Sequence, residues 1–528
     1  MTGASPNVDL ERTVFDVLVV GSGFGGGTTA YALSRAGLKV LLVERGGWPA
    51  RDETDWNGRA ILLDGRYKGE TPVDVRQAGA RSDVETFPNE VVGGNSIFFG
   101  GAALRLRATD FARWPIAYTD LEAHYGEAEA LLEVHGKAGD DPCEPPRSGP
   151  YPYPPVELTT PARRIADAAR GLGLHPFHIP IAINHAGTRE PRCINCFTCD
   201  GFPCRIGAKN DVTQTALAKA DPNNLAVVAR TVAARLVERD GRIEGVEAID
   251  RDGGRRLTLR ARVCVLSGGA IGSPALMLRS GLGARDASGT LGRYLMRHCN
   301  AMTYGVFLRK PDPRGEHHKQ IAVHDWYFGA REAGAPRGKL GNLQQIMGPR
   351  ASLVAHILPK ALGWVARLAE FPASRLTGLL CIAEDQPRAE NRVRIDPARP
   401  DAWGLPKLIV EHRHTERDLA ARAFMVRKAK QILRRAGALA FFTWPVSTFS
   451  HAVGTVRMGD DERTAPLDPE CRFRGLENLY VTDGSVFPTS AGVNPSLTIS
   501  ANAMRVGQLI VRALTGASAG TASAGGSR

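Results

Sequence analysis

Residues 14–44, VFDVLVVGSGFGGGTTAYALSRAGLKVLLVE, carry the strongest structural signal in the chain. The first seven are an apolar run broken only by Asp16, which predicts a buried parallel strand. A helix is predicted from residue 28 to residue 35, and Gly37 follows it as a residue type that tolerates the left-handed conformation beyond a helix end. Residues 39–43 predict the second strand, so the whole stretch forms one βαβ unit.

Gly21, Gly23 and Gly26 satisfy the pattern G-x-G-x-x-G between this strand and helix. Such glycines allow a tight turn and a close approach of the backbone to a pyrophosphate, while the helix N-terminus offers N–H groups to the anion. Glu44 follows Gly26 by 18 residues and is placed to accept hydrogen bonds from a ribose. The sequence therefore predicts a dinucleotide site. Because Arg45 and a glycine follow Glu44, the pattern resembles that of flavoproteins that hold the ADP half of FAD on this unit.

Composition places the chain among ordinary globular proteins. Hydrophobic residues are 43% and charged residues 23% of the 528, which excludes disordered, collagen-like and coiled-coil chains. The net charge of +12 comes from basic residues spread along the whole sequence, so nucleic-acid binding is not expected. Residues 1–13 are polar and no apolar run reaches the length of a membrane span, so we expect a cytoplasmic protein without a secretion signal.

The rest of the chain gives weaker structural predictions. Residues 48–90 are predicted to be irregular, and residues 225–265 to form an antiparallel meander with turns at 240–241 and 252–254. Residues 263–267 predict another buried strand, followed by a glycine-rich turn and a helix. A long helix with a basic face is predicted at 417–436, and a low-complexity disordered tail from residue 515.

Several glycine-rich segments resemble signatures of the glucose–methanol–choline (GMC) oxidoreductases. They occur in the family's order: VVGGNSIFFGG (91–101), SGGAIGSP (267–274), HAVGTVRMG (451–459), NLYVTDGSVFP (478–488) and GVNPSLT (492–498). The resemblance implies an α/β fold, in which a Rossmann-like FAD domain of the glutathione-reductase type carries an inserted α+β substrate domain built on an antiparallel sheet. The implied FAD domain comprises residues 10–110, 190–300 and 450–515, the substrate domain 111–189 and 301–449, and the tail 516–528.

The resemblance also implies FAD-dependent oxidation of an alcohol to a carbonyl. His451 and Asn494 match the family's catalytic pair. A histidine with a pKa near neutrality is suited to take the hydroxyl proton while hydride leaves the same carbon for flavin N5. An amide is suited to hold the oxygen and orient the C–H bond. The other histidines at 317, 318, 412 and 414 have no such context and are expected to be surface or structural residues.

Further residues are expected to line the cofactor. By the resemblance, Asp483 and Gly484 lie near the ribityl or pyrophosphate, and Val232 near the adenine. Asn95 and Ser96 either bond the flavin or close a turn. The full predicted cofactor set is Gly21, Gly23, Phe24, Gly25, Gly26, Glu44, Arg45, Gly93, Gly94, Asn95, Ser96, Gly101, Val232, Gly269, Ser273, Asp483, Gly484, Pro495 and Thr498.

A cysteine cluster at Cys193, Cys196, Cys199 and Cys204 has the spacing C-x2-C-x2-C-x4-C. A ferredoxin run is one residue shorter and ends in proline, and zinc sites usually use two separated C-x2-C pairs. Similar segments occur in a bacterial GMC branch that includes sterol-type, sugar and aminoglycoside oxidoreductases. Structural thiols or a local disulfide are favoured, with an iron–sulfur cluster as the main alternative and zinc as a lesser one. Gly207 and Lys209 are expected to shape a loop beside the cofactor.

The resemblance favours a sugar, glycoside, aminoglycoside or other polyol as substrate, with oxygen or a redox protein accepting the electrons. One alternative is the flavoprotein subunit of a dehydrogenase complex, passing electrons through iron–sulfur at the cysteines; others are a sterol or lipophilic-alcohol oxidase and a redox-inert flavoprotein. Residues 353–371 are amphipathic, which favours a core or lid helix over a surface that contacts a membrane or a lipophilic substrate.

Overall fold

A computed structural model describes residues 9–77, 84–186, 189–196, 198–316, 319–348 and 371–516. The strands are β1 (Val14–Val20), β2 (Val40–Val43), β3 (Val73–Gln77), β4 (Val84–Thr86), β5 (Pro176–His178), β6 (Leu225–Val228), β7 (Thr231–Arg239), β8 (Arg242–Asp250), β9 (Arg256–Leu266), β10 (Ala301–Phe307), β11 (Ile321–Val323), β12 (Gly341–Met347), β13 (Leu376–Ala383), β14 (Arg392–Pro400), β15 (Pro406–His412), β16 (Ala438–Pro445) and β17 (Leu479–Val481). The α-helices are α1 (Phe24–Arg35), α2 (Gly58–Leu62), α3 (Tyr118–Leu131), α4 (Thr160–Arg170), α5 (Ala216–Lys219), α6 (Gly269–Arg279), α7 (Glu416–Arg435) and α8 (Ser496–Thr515).

A seven-stranded sheet carries the predicted βαβ unit. Its core is parallel: β1 lies between β2 and β9, β6 extends the sheet beyond β2, and β17 pairs with β9. The other end is an antiparallel meander, because β9 also pairs with β8, and β8 with β7. Val17, Leu18 and Val19 of β1 are fully buried, as expected for a strand covered on both faces. This is the Rossmann-like α/β architecture that the sequence predicted.

The structure differs from the sequence predictions at four places. Helix α1 begins at Phe24, four residues early, because the glycines form its first turn rather than a preceding loop. The strand predicted at 263–267 is the end of β9, which continues from the meander into the parallel sheet. The first strand of the predicted meander, β6, instead pairs in parallel with the open edge of β2. The predicted irregular region at 48–90 contains α2, β3 and β4.

The second large sheet is antiparallel, with strands in the order β16-β10-β13-β12-β11-β5. One face packs on α4 and α7 in a cluster that includes Phe307, Cys381 and Phe424. Helix α7 matches the helix predicted at 417–436, and Thr415 begins it with a capping box. On β12, Asn342 and Gln344 are two apart and therefore share a face, and their side chains reach the segment at 492–494. A smaller sheet joins β14, β15, β3 and β4.

Some predictions fall outside the described residues. These are His317 and His318, the amphipathic stretch 353–371 except Phe371, and the tail beyond Gly516. Within the described ranges, no helix is both long and apolar enough to cross a membrane.

Candidate active site

The glycine loop ends in an open cradle at the start of α1. Gly23 is the N-cap, and no side chain caps the helix. A Cβ added at Gly23 would meet no atom within 4 Å, whereas one at Gly26 would lie 1.8 Å from the carbonyl oxygen of Gly21 and one at Gly25 2.3 Å from that of Thr482. Gly25 and Gly26 therefore allow close packing, while Gly23 faces open space beside uncapped N–H groups. That arrangement fits the pyrophosphate of a dinucleotide.

Glu44 joins this loop to the second glycine-rich stretch. Its carboxylate accepts from the Ser22 N–H at 3.1 Å, the Ser22 hydroxyl at 2.6 Å and the Gly46 N–H at 2.9 Å. The Ser22 hydroxyl oxygen in turn accepts from the Gly93 N–H at 2.8 Å. Burial raises the pKa of Glu44, although these hydrogen bonds oppose the rise. Glu44 is thus placed at the end of β2 as expected, and its bond to a ribose stays a prediction.

The second glycine-rich stretch turns tightly at Gly93 and Gly94, which have φ of 97° and 52°. The Ser96 hydroxyl donates to the Gly93 carbonyl at 2.6 Å and accepts from the Val212 N–H at 3.2 Å. Ser96 therefore closes the turn, one of the two roles considered for it. Asn95 is exposed and accepts from the Asn89 amide at 3.0 Å.

Asp483 joins the glycine-rich segment at 267–274 to its own segment at 478–488. Its carboxylate accepts from the Gly269 N–H at 2.8 Å, the Ser273 hydroxyl and the Ser485 N–H at 2.8 Å. It thereby caps the short 3₁₀ helix Gly484–Val486. Burial raises the pKa of Asp483, against the pull of these bonds. A contact to the flavin stays a prediction.

The remaining predicted cofactor residues have these contacts and positions, and their bonds to a cofactor stay predictions. The Phe24 ring packs edge-on to Phe99, the Arg45 guanidinium pairs with Glu90 at 2.8 Å, and the Thr498 hydroxyl bonds Tyr125 at 2.8 Å. Val232 is buried on β7, Gly101 lies in a tight turn of the second glycine-rich stretch, and Pro495 is the N-cap of α8.

His451 and Asn494 lie together, although 43 residues separate them. The Asn494 amide nitrogen is 3.4 Å from Nε2 of His451. Its amide oxygen accepts from the Gln344 amide at 2.6 Å, while Nδ2 faces the histidine. Among the described residues, the Gln344 oxygen has no hydrogen-bond partner. Burial lowers the pKa of His451 well below its usual value, and His298 and Lys319 lower it further, so the ring is neutral at pH 7.

A second histidine, His298, touches the other side of His451. The two Nδ1 atoms are 2.9 Å apart, and His298 Nε2 lies 3.0 Å from the Ser490 carbonyl and 3.1 Å from the Ala491 carbonyl. His298 is 1% exposed. Sequence reasoning missed this residue, and the only signal is its place just before the predicted start of the second substrate-domain segment at 301.

An ion pair with a buried lysine lies near the same site. The ammonium of Lys319, which is 4% exposed, donates to the Asp200 carboxylate at 2.9 Å. A Cβ on Gly100, in the second glycine-rich stretch, would lie 1.7 Å from that carboxylate and 3.1 Å from the ammonium. Lys319 also acts on the charge of His451. The pair therefore lies between the second glycine-rich stretch and the histidine pair, and sequence reasoning did not identify Lys319 or Gln344.

His412 and His414 belong to a buried hydrogen-bonded cluster rather than to the surface. His412 Nε2 is 2.9 Å and His414 Nδ1 3.3 Å from the Asp385 carboxylate. The Arg297 guanidinium donates to His412 Nδ1 at 3.3 Å. Because burial opposes ionisation but the two histidines favour it more strongly, the pKa of Asp385 is lowered. The cluster supports the structural alternative for these histidines.

The four cysteines form a loop against the second glycine-rich stretch. All are free thiols. Among the described residues, no three of their sulfurs lie within 4.8 Å of one another, so the iron–sulfur and zinc alternatives are not supported. Buried Lys209 donates to the carbonyls of Phe99 at 2.8 Å, Cys199 at 3.0 Å and Phe202 at 2.7 Å. Lys209 therefore shapes this loop, as expected. A hydrogen bond from Cys199 lowers the pKa of Cys196 to about 5.

The chain is similar to several known proteins. Family models described as GMC oxidoreductase match residues 80–300 and 387–503, and one described as NAD(P)-binding Rossmann-like domain matches residues 19–61. Paromamine 6'-oxidase of Streptomyces fradiae is 30% identical over 94% of this chain and 91% of its own length. The 2-methyl-1,2-propanediol dehydrogenase of Mycolicibacterium austroafricanum is 27% identical over 94% and 95%. A crystal structure of pyridoxine 4-oxidase from Mesorbium loti has a TM-score of 0.67 at 20% identity, covering 94% and 99% of the two chains.

Proposed function

The chain belongs to the GMC oxidoreductase family, and from that premise we propose that it oxidises a CH–OH group of a small polyol to a carbonyl, with His451 as the base. Family membership and the Rossmann-like domain imply FAD, which when bound accepts hydride from the carbinol carbon. The observation that carries the proposal is the convergence of His451 and Asn494 at 3.4 Å.

Each residue of the pair has a distinct task. His451 Nε2 takes the hydroxyl proton, and the ring is neutral and ready to accept it at pH 7. The Asn494 amide donates to the hydroxyl oxygen and fixes its direction, because Gln344 holds the amide from behind at 2.6 Å. Around them, the cradle at Gly23 would hold the pyrophosphate of FAD, with Glu44 near the ribose and Asp483 near the ribityl or pyrophosphate.

The surroundings of the pair favour a small polar substrate over a sterol. Gln344 offers a buried amide oxygen without a partner among the described residues, and Lys319 with Asp200 adds a polar wall. A hydroxyl-rich molecule can donate a hydrogen bond to the Gln344 oxygen, whereas a sterol would leave that oxygen buried and unpaired. The relatives named above favour an aminoglycoside or another polyol. We further propose the division into a discontinuous FAD domain and an inserted substrate domain, with oxygen or a redox protein as electron acceptor.

The test is anaerobic reduction of the bound flavin by a panel containing paromamine, 2-methyl-1,2-propanediol and pyridoxine. We expect His451→Ala to retain FAD and lose flavin reduction by about 10²–10⁴-fold, the usual contribution of a general base. His175→Ala is the matched control, because His175 is exposed and bonds only Asp325 among the described residues. Undiminished flavin reduction in His451→Ala would contradict the proposal.

A further inference from the structure

We infer that His298 is a positioning residue that keeps neutral His451 in one tautomer, with the proton on Nδ1 and the lone pair of Nε2 facing the substrate. The inference rests on the proposed function, since it explains how the proposed base is made ready. His298 does not contact the reacting atoms. It acts through a single 2.9 Å contact between the two Nδ1 atoms.

The proton inventory of His298 fixes its own tautomer. Nε2 lies 3.0 Å from the Ser490 carbonyl and 3.1 Å from the Ala491 carbonyl, and a carbonyl oxygen only accepts. Nε2 must therefore carry a hydrogen. Burial lowers the pKa of His298, so the ring is neutral and has one N–H. Its Nδ1 is left with a lone pair directed at His451.

The tautomer of His451 follows from that of His298. Because His298 Nδ1 is an acceptor, His451 Nδ1 must donate across the 2.9 Å contact. The only unprotonated nitrogen of neutral His451 is then Nε2, on the side of Asn494. A hydroxyl bound there donates to Nε2 and accepts from the Asn494 amide. When the O–H bond breaks, its proton stays on Nε2, and the Nδ1–H bond to His298 remains in place.

His298 makes this contact from an uncommon backbone conformation. Its φ is 64°, in the left-handed region that histidine seldom adopts. Bonds on both sides fix the segment: the Arg297 N–H donates to Asp385 at 2.8 Å and the Cys299 N–H to the Ala383 carbonyl at 2.9 Å. Such conformations persist where surrounding contacts determine them, and they concentrate at functional sites.

A neutral acceptor behind the base has an electrostatic consequence. A carboxylate at this position would raise the pKa of His451, whereas a neutral His298 places no negative charge beside it. Burial therefore keeps the pKa of His451 well below its usual value, and Lys319 lowers it further. The charged or titratable groups acting on His298 are Asp385, which raises its pKa, and His414, which lowers it. His451 thus stays unprotonated, and able to act as base, to lower pH than it would beside a carboxylate.

The first test reads the tautomer directly in the oxidised holoenzyme labelled with ¹⁵N-histidine. Long-range ¹H–¹⁵N correlation spectra distinguish protonated from unprotonated ring nitrogens, and His451→Gln identifies the signals of residue 451. We expect the proton on Nδ1 and an unprotonated Nε2. A proton on Nε2 would overturn the inference, and this result needs no variant at position 298.

The second test compares two substitutions in anaerobic flavin reduction by the fastest alcohol of the panel. His298→Asn keeps an acceptor oxygen near the position of Nδ1 and tolerates the left-handed backbone. We expect its rate to stay within about tenfold of wild type. His298→Leu removes the acceptor, and we expect a loss of about 10²-fold in the reduction rate with little change in KM. His298→Asp should move the acidic limb of the pH–rate profile to higher pH.

Flavin content and melting temperature check that each variant is folded. A folded His298→Leu protein that reduces flavin at the wild-type rate would refute the positioning role while leaving His451 as the base. Full activity in His451→Ala would instead refute the proposed function, so the two failures are distinguishable.

Discussion

A substitution at Gly23 is expected to weaken FAD binding without disturbing the fold. At this position a Cβ meets no protein atom within 4 Å, and the backbone has φ of −67°, which alanine adopts readily. Gly23→Ala should therefore change apoprotein stability by about 1 kcal/mol or less, the usual scale for an N-cap substitution. The same methyl group would occupy the space where the pyrophosphate approaches the N–H groups of α1.

The expected loss of FAD affinity follows from those N–H groups. A hydrogen bond to a charged group contributes about 1.5–3 kcal/mol. Displacing the pyrophosphate from one or two N–H groups then costs roughly 3 kcal/mol, which raises the Kd for FAD by about 10²-fold. The assay is titration of apoprotein with FAD by flavin fluorescence, with circular dichroism and thermal melting as checks on folding.

The matched control is Gly126→Ala. Gly126 is an exposed residue in α3, and a Cβ there also meets nothing within 4 Å. It should leave FAD affinity unchanged and stabilise the helix by up to about 1 kcal/mol. A folded Gly23→Ala protein whose Kd stays within about threefold of wild type would refute the assignment of this cradle to the pyrophosphate.

Three further predictions concern other parts of the molecule. Lys209→Met leaves the carbonyls of Phe99, Cys199 and Phe202 without their shared donor, so we expect a loss of roughly 3–5 kcal/mol of unfolding free energy by denaturant titration; a loss under about 1 kcal/mol contradicts this. Burial opposes ionisation of Asp141, but His324 and Arg107 lower its pKa to about 2. The ionised carboxylate therefore stabilises the folded protein above about pH 4, and this stabilisation is lost as the pH falls toward 2. Asp141→Asn should therefore lower the melting temperature more at pH 7 than at pH 3, and an equal decrease at both would refute the assignment. Because the pKa of Cys196 is about 5, iodoacetamide at pH 6 should alkylate Cys196 before the other three clustered cysteines, as read by peptide mass spectrometry. Burial raises the pKa of Cys193 to about 12, so preferential labelling of Cys193 would contradict the hydrogen bond from Cys199 to Cys196.

The sequence predicted those helices and strands whose ends depend on neighbouring residues. Strand β1 has the predicted bounds because its apolar run is buried on both faces, and α7 agrees to within one residue because Thr415 provides a capping box. The start of α1 was wrong because glycines normally favour loops. In this chain the first turn needs them, since a side chain at Gly26 would collide with Gly21.

Tertiary contacts controlled what the sequence did not predict. The apolar stretch of β6 has no local feature that selects a parallel partner, and only the open edge of β2 does so. His298 meets His451 across 153 residues, and Gln344 meets Asn494 across 150. The cysteine spacing left metal ligation open beside the favoured structural thiols, and local pattern could not decide between them. Among the described residues no three of these sulfurs lie within 4.8 Å of one another, and Lys209 holds the loop through its carbonyls.

The most direct test of the account is the visible spectrum of anaerobic holoenzyme as each alcohol of the panel is added to wild type and to His451→Ala. The account predicts that a polyol bleaches the flavin band of the wild type and leaves the FAD-loaded variant oxidised. Equal bleaching of both proteins, or a purified protein that holds no flavin even after reconstitution with FAD, would contradict it.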